Sequence, residues 1–127
     1  GTAARLGFKS RVISALGAKA IKHLADGAGM PLAKALLGVY DFEGDSARYA
    51  ALMDGWLAGA PAGGLLMCHP AQTAGPDDGI GAARQREYGY LASAEFAAAL
   101  ARAQVTLVRG AVVYRHYTRR HATYRID

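Results

Sequence analysis

The chain has 127 residues, which is the typical length of a single domain and too short for a complete (β/α) barrel of about 250 residues. With 52% hydrophobic residues and a net charge of +5, its composition excludes a disordered chain and is typical of a globular protein. The single cysteine excludes an internal disulfide, and no apolar run reaches the roughly 18 residues of a membrane span, so we expect a cytoplasmic protein.

The first predicted element is an amphipathic helix over residues 10–25, because apolar residues recur there at helical spacing. Ser10 can cap its start, and Gly27 or Gly29 can end it. His23 lies among the cations of the polar side, so we expect it at the surface. The apolar positions are Val12, Ile13, Leu16, Ala20, Ile21 and Leu24.

Two further elements follow Met30-Pro31, where the proline interrupts the helical pattern. A glycine followed by a β-branched residue and aromatics predicts a short extended segment at 39–42. A second helix is predicted over 46–57, with Ser46 as its N-cap and one apolar stripe along its length. Trp56 belongs to that stripe, so we expect it to pack in the core rather than to bind a ligand.

A glycine-rich turn at 59–64 leads into Leu65–His69, an apolar run that ends on an imidazole and is followed by Pro70. Such a run is typical of a buried strand in an α/β domain, where the C-terminal ends of strands face the ligand crevice. His69 is therefore the first candidate catalytic residue. The alternative is a hydrogen-bonded core histidine without a chemical role.

The rest of the chain continues the alternation of helices and strands. A loop rich in Pro, Gly and Asp covers 70–81, where active-site loops of α/β folds lie. Helices are predicted over 82–91 and 93–103, the second capped by Ser93. Residues 105–108 are predicted to form another buried strand. Helix, glycine-rich turn and buried strand together indicate an α/β fold class.

Positive charge is concentrated at the two ends of the chain. Residues 1–22 hold five cations and no acid, and residues 109–127 hold five cations against one acid. Segment 111–117 is rich in β-favouring residues and 118–127 is polar, so 111–127 forms a basic aromatic tail. No nucleic-acid motif accompanies these charges, so we expect no nucleic-acid partner and no membrane partner.

The residues that could carry chemistry lie close to His69 in the chain. A histidine beside a carboxylate can act as general acid or base, because the anion raises the proton affinity of an imidazole. Arg86 and Glu87 are adjacent, so at most one of them should face a crevice from a helix. Arg84 and Glu87 could instead form a surface ion pair at three-residue spacing. The candidates beside His69 are Asp77, Asp78, Arg84, Arg86, Glu87 and Tyr88.

Two segments carry a family resemblance. Residues 67–70 read M-x-H-P, and residues 86–96 read R-E-Y-x-Y-L-x-S-x-E-F. With Leu37–Phe42 and Val105–Leu107, in matching order and spacing, they resemble the C-terminal half of the YdjC-like family across roughly residues 5–110. That family includes chitooligosaccharide deacetylases and the hopanoid-biosynthesis HpnK proteins.

The resemblance implies a partial (β/α)-barrel-like fold, with residues 1–110 as the C-terminal part of a carbohydrate deacetylase domain. It implies a metal-dependent hydrolase of N-acetylated sugars, in which one Asp and two His hold a divalent cation, Mg or Zn. It also implies that His69 acts as a catalytic acid or as a transition-state stabiliser. The substrate-binding residues would be Asp78, Arg84, Glu87 and Tyr88.

The family's metal-ligand motifs, an early Asp-Asp and mid-chain histidines, do not occur in this sequence. We therefore expect this chain alone to bind no metal and to be inactive without the metal-binding half. A metal site built from His69, Asp77 and Asp78 is a weaker hypothesis, because one His and two adjacent acids give a poor set of ligands for a transition metal.

Half of a barrel leaves strands with open edges and apolar faces, so we expect the chain to form homo-oligomers. A hypothesis from another class is a small α/β binding or oligomerisation module whose basic ends contact anionic partners. Binding to DNA, RNA or acidic vesicles that weakens with salt would favour that module.

Overall fold

The structure is a computed structural model that describes residues 19–113. Residues 34–106 form one compact unit, and the described part of a second unit comprises 19–33 and 107–113. Among these residues, no helix is both long and apolar enough to cross a membrane. In chain order the elements are α1 (Lys19–Gly27), β1 (Leu36–Leu37), α2 (Ser46–Ala58), β2 (Leu65–Leu66), α3 (Gly81–Leu91), α4 (Ala94–Arg102) and α5 (Gly110–Val113).

Helix α1 ends in a Schellman motif centred on Gly29, one of the two predicted stop residues. The Met30 amide donates to the Ala25 carbonyl over 2.8 Å, and Gly29 adopts a φ of 66° that suits glycine. Ala25 is the buried residue of this helix, whereas Ile21 and Leu24 of the predicted apolar stripe are exposed. The predicted start of the helix lies outside the described residues.

Strands β1 and β2 form a parallel two-stranded sheet, in which Leu36 pairs with Leu65 and Leu37 with Leu66. Helix α2 lies between them in the chain, so the three elements make one βαβ unit. Leu36 and Leu65 are 56% and 54% exposed, while Leu66, one residue further, packs against the core. Successive residues of a strand point to opposite faces, so one face of this sheet is covered and the other is open.

The two strands differ from those that the sequence predicts. Strand β2 covers only the first two residues of the predicted strand 65–69, and β1 precedes the predicted extended segment 39–42. Gly38 turns the chain away directly after β1, since its φ is 89°. The last hydrogen bond between the two strand segments runs from the Met67 amide to the Leu37 carbonyl, over 2.9 Å.

The predicted strand over 105–108 is not formed. Val105 instead completes a Schellman motif at the end of α4, where its amide donates to the Leu100 carbonyl over 3.0 Å. Leu107 and Val108 are exposed, and no strand within residues 19–113 lies beside them. Residues 110–113 form the short helix α5, although 111–117 are rich in β-favouring residues, and the rest of the predicted tail 111–127 lies outside the described residues.

The three predicted helices of the 34–106 unit are confirmed to within two residues at each end. Ser93 caps α4 as predicted, whereas α2 is capped by Asp45, whose carboxylate accepts from the Arg48 amide, and not by Ser46. Trp56 packs against the core as expected. The buried core consists of Tyr40, Tyr49, Met53, Leu57, Tyr90, Phe96 and Ala99.

Candidate functional site

The candidate site centres on Glu87, a fully buried carboxylate in α3. Its Oε1 accepts from the Tyr40 hydroxyl over 2.7 Å, and its Oε2 accepts from the His69 backbone amide over 2.5 Å. A buried carboxylate is stable only when such donors replace water. Glu87 therefore ties α3 to the two segments that follow β1 and β2.

His69 lies three residues beyond Leu66, the last residue of β2, whereas the sequence predicts that His69 itself ends the strand. Its Nδ1 is buried and lies 3.7 Å from Oε1 of Glu87, which is longer than a hydrogen bond but close enough for a protonated imidazole and a carboxylate to attract each other. The side chain keeps 24% exposure, and with Nδ1 buried this exposed area belongs to the rest of the side chain. His69 is thus neither sealed in the core nor free at the surface.

Tyr40 supplies the second donor to Glu87. Burial of the phenol, followed by its hydrogen bond to the Glu87 carboxylate, raises the pKa of Tyr40 to about 12. Burial also raises the pKa of Tyr49, which packs against Tyr40 with ring centroids 5.5 Å apart. Both phenols therefore remain protonated well above neutral pH.

These raised pKa values predict a loss of stability in alkali. The pKa of Tyr40 in the folded chain is above its ordinary value of 10.0, so its contribution is complete below about pH 10 and is lost as the pH rises toward about 12. Urea unfolding should show the free energy of unfolding falling across this window, with a shallower fall in Tyr40→Phe. Tyr88→Phe, at an exposed ring, is the matched control and should keep the wild-type slope. Equal slopes in all three proteins would contradict this assignment.

Arg84 and Asp78 form a separate ion pair that shapes the loop after His69. Nε of Arg84 lies 2.9 Å from Oδ2 of Asp78, and a guanidinium nitrogen of Arg84 donates to the His69 carbonyl over 3.3 Å. The other Asp78 oxygen accepts from the Ile80 amide, an Asx turn that precedes α3. The alternative of a surface ion pair between Arg84 and Glu87 is wrong, because Glu87 is buried and Arg84 pairs with Asp78.

Arg86 and Glu87 both reach the segment that follows β1, although the sequence predicted that at most one would face the site. Glu87 points directly into the core, and the Arg86 guanidinium donates to the Phe42 carbonyl over 2.9 Å. The length of the arginine side chain explains the difference, since it can extend past its own helix to a neighbouring segment.

Two of the predicted site residues lie apart from this cluster. Tyr88 is 41% exposed and, within the described residues, shares no hydrogen bond or aromatic contact with His69. Asp77 is exposed, next to Asp78. Burial raises the pKa of the Cys68 thiol, which argues against a thiolate nucleophile beside His69.

Sequence reasoning gave no site role to Tyr40 or Phe42, although both lie against the predicted residues. The Phe42 ring meets the His69 ring edge to face, with centroids 5.1 Å apart. Their position in the chain could have identified them as site residues, because Tyr40 and Phe42 follow β1 as His69 follows β2. The C-terminal ends of parallel strands lie at one edge of the sheet, so residues after the two strands should meet there.

The described residues do not fit a divalent-metal site. Within residues 19–113 no three His, Cys, Asp or Glu side chains are grouped as metal ligands would be. His69 and Glu87 together do not make a metal site either, since both Glu87 oxygens already accept hydrogen bonds.

The geometry defines a class of site: an imidazole held beside a buried carboxylate at the C-terminal edge of a parallel sheet. No family model, curated protein or solved structure matches the chain. The YdjC-like resemblance stays a prediction from the sequence motifs.

Proposed function

We propose that this chain is the C-terminal portion of a YdjC-like deacetylase of N-acetylated sugars, in which His69 is the general acid. The observation that supports this most directly is the His69–Glu87 pair, with Nδ1 3.7 Å from a fully buried carboxylate. The divalent metal of such a deacetylase would be held by residues outside those described, because the described set does not fit one.

In this proposal Glu87 turns the imidazole so that Nδ1 faces inward and the partly exposed side of the ring faces the substrate. Deacetylation adds water to the acetamide carbonyl and then breaks the C–N bond, so the departing amine nitrogen needs a proton. A protonated His69 would give up its Nε2 proton to that nitrogen, while the Glu87 carboxylate stabilises the imidazolium before transfer. Arg84 would orient the substrate, since its hydrogen bond to the His69 carbonyl and its ion pair with Asp78 place the guanidinium beside His69.

The test combines this chain with a separately produced N-terminal half carrying Asp-Asp and paired-His motifs, and with Mg²⁺ or Zn²⁺. We expect acetate release from N-acetylglucosamine oligomers only when both halves are present. His69→Gln should lower kcat by about 100-fold or more, the typical contribution of general acid catalysis. His23→Gln, at an exposed histidine in α1, is the matched control and should leave the rate unchanged. An inactive mixture of folded halves, or full activity in His69→Gln, would refute the proposal.

The open face of the sheet favours a second candidate, a module that self-associates. The exposed pair Leu36 and Leu65, with Val39 nearby in the chain, gives an apolar surface on the side of β1 and β2 away from the core. We expect a homo-oligomer at micromolar concentration by light scattering, and Leu36→Glu with Leu65→Lys should shift it toward the monomer. A wild-type chain that is already monomeric would count against both this module and the half-barrel expectation.

A further inference from the structure

Phe42 has a backbone conformation that an aromatic residue rarely adopts. Its φ is 64°, in the left-handed region where the Cβ atom crowds the backbone and where glycine, asparagine or aspartate are usual. Such strain persists only where the surrounding structure holds it in place, and it is often found where a side chain must be aimed. The contacts around Phe42 show what holds it.

One set of contacts fixes the residues on either side of Phe42. The Arg48 guanidinium, from α2, binds both carboxylate oxygens of Asp41, at 2.7 and 3.1 Å. The same guanidinium donates to the Glu43 carbonyl over 2.5 Å. A two-point contact between arginine and a carboxylate fixes orientation as well as distance, so Arg48 pins the turn before and after Phe42.

A second contact fixes Phe42 itself from another helix. The Arg86 guanidinium, from α3, donates to the Phe42 carbonyl over 2.9 Å. The turn is therefore held from α2 and from α3 by charged donors, which are stronger than neutral ones. These bonds offset the backbone strain and leave the Phe42 side chain aimed in one direction.

The Phe42 side chain is directed toward the candidate site around His69 and Glu87. The Phe42 ring contacts the rings of both Tyr40 and His69: its centroid is 4.9 Å from that of Tyr40 and 5.1 Å from that of His69. The planes of Phe42 and His69 are 83° apart, the edge-to-face geometry that aromatic pairs prefer. Contact on this side limits the rotation of the imidazole, whose Nδ1 lies toward Glu87 without a hydrogen bond of its own.

We propose that Phe42 is a positioning residue, held in its left-handed conformation by Arg48 and Arg86 so that its ring keeps Nδ1 of His69 directed at Glu87. The catalytic meaning of this role rests on the deacetylase function proposed above, whereas the ring geometry does not. A merely structural Phe42 would fill space, and any apolar side chain of similar volume would serve as well.

The experiment separates these roles with variants at and around Phe42. Phe42→Leu keeps an apolar side chain but removes the aromatic ring, and Phe42→Tyr restores a ring. Arg48→Gln leaves Phe42 in place but removes the contact with Asp41, and it serves if Phe42→Leu does not fold. Phe96→Leu is the matched control, because Phe96 packs on Tyr90 in the core and has no aromatic contact with His69 within the described residues.

The first readout is the NMR spectrum of the His69 ring in this chain, which needs no activity. Nuclear Overhauser contacts from the His69 ring protons to side chains other than Phe42 report the orientation of the imidazole, so we expect them to change in Phe42→Leu and in Arg48→Gln, and to be kept in Phe42→Tyr and Phe96→Leu. Unchanged His69 contacts in a folded Phe42→Leu would overturn the proposal.

The second readout is kinetic and uses the two-half deacetylase. Phe42→Leu should lower kcat on the order of 10-fold with KM little changed, because the ring no longer holds the acid in its reactive orientation. Recovery of kcat in Phe42→Tyr supports the proposal, and wild-type kcat in Phe42→Leu refutes it. If the assembled halves are inactive while the His69 contacts respond as expected, the deacetylase function fails and the positioning of the imidazole by Phe42 is upheld.

Discussion

Glu87→Ala is expected to lower the free energy of unfolding by about 3–5 kcal/mol. The change leaves two buried donors, the Tyr40 hydroxyl and the His69 amide, without an acceptor. Each unsatisfied group costs about 1–3 kcal/mol. It also leaves a cavity at a side chain that has no exposure. Urea unfolding followed by circular dichroism measures the difference.

The companion variant Glu87→Gln separates shape from charge. Its amide oxygen can accept from the His69 amide, and its NH₂ group can donate to the Tyr40 oxygen if that hydroxyl turns, so a loss of only about 1 kcal/mol is expected. Glu95→Ala, in the exposed first turn of α4, is the matched control and should cost a few tenths of a kcal/mol. A Glu87→Ala protein as stable as Glu95→Ala would show that the buried carboxylate does not hold the site together.

The helices of the 34–106 unit could be predicted from the sequence because their signals are local. Ser93 caps α4, and the apolar residues of α2 recur at a spacing that only a helix brings to one side. The one-residue error at Asp45 is of the same local kind, since aspartate and serine are equally good N-caps.

Strand lengths could not be predicted in this way, because a strand is defined by its partner. The apolar run 65–69 has the composition of a longer strand, but β1 ends at Leu37 and gives it nothing further to pair with. The run 105–108 has strand composition as well, and its first residue is used in the helix stop of α4. Local composition carries no information about which backbone lies alongside.

Some residues of the candidate site could be predicted from the sequence and others could not, for the same reason. His69 could be chosen from the sequence by residue type and by its position after a strand, and Glu87 as a carboxylate on the helix that follows. The pairing of Arg84 with Asp78 rather than Glu87 depends on the turn into α3, which the spacing does not specify. The roles of Tyr40 and Phe42 depend on the parallel alignment of β1 and β2, which places the residues after the two strands side by side.

That alignment makes Gly38→Ala the second large prediction. A Cβ at residue 38 would lie 2.1 Å from the Met67 carbonyl oxygen, a backbone atom that cannot move aside alone, and the φ of 89° is itself unfavourable for alanine. The two segments must separate, which strains the Met67–Leu37 hydrogen bond and draws the His69 amide away from Glu87. We expect a loss of about 3 kcal/mol or more in the free energy of unfolding.

The control for this substitution is Gly55→Ala, in the interior of α2, where an added Cβ meets nothing within 4 Å. Alanine favours a helix over glycine, so this variant should gain about 0.5–1 kcal/mol. Amide exchange at Met67 reports the sheet directly: it should quicken in Gly38→Ala and slow or stay unchanged in Gly55→Ala. If Gly38→Ala kept both wild-type stability and slow exchange at Met67, the close approach of the two strand ends would be wrong, and with it the reason that His69 and Tyr40 meet on one carboxylate.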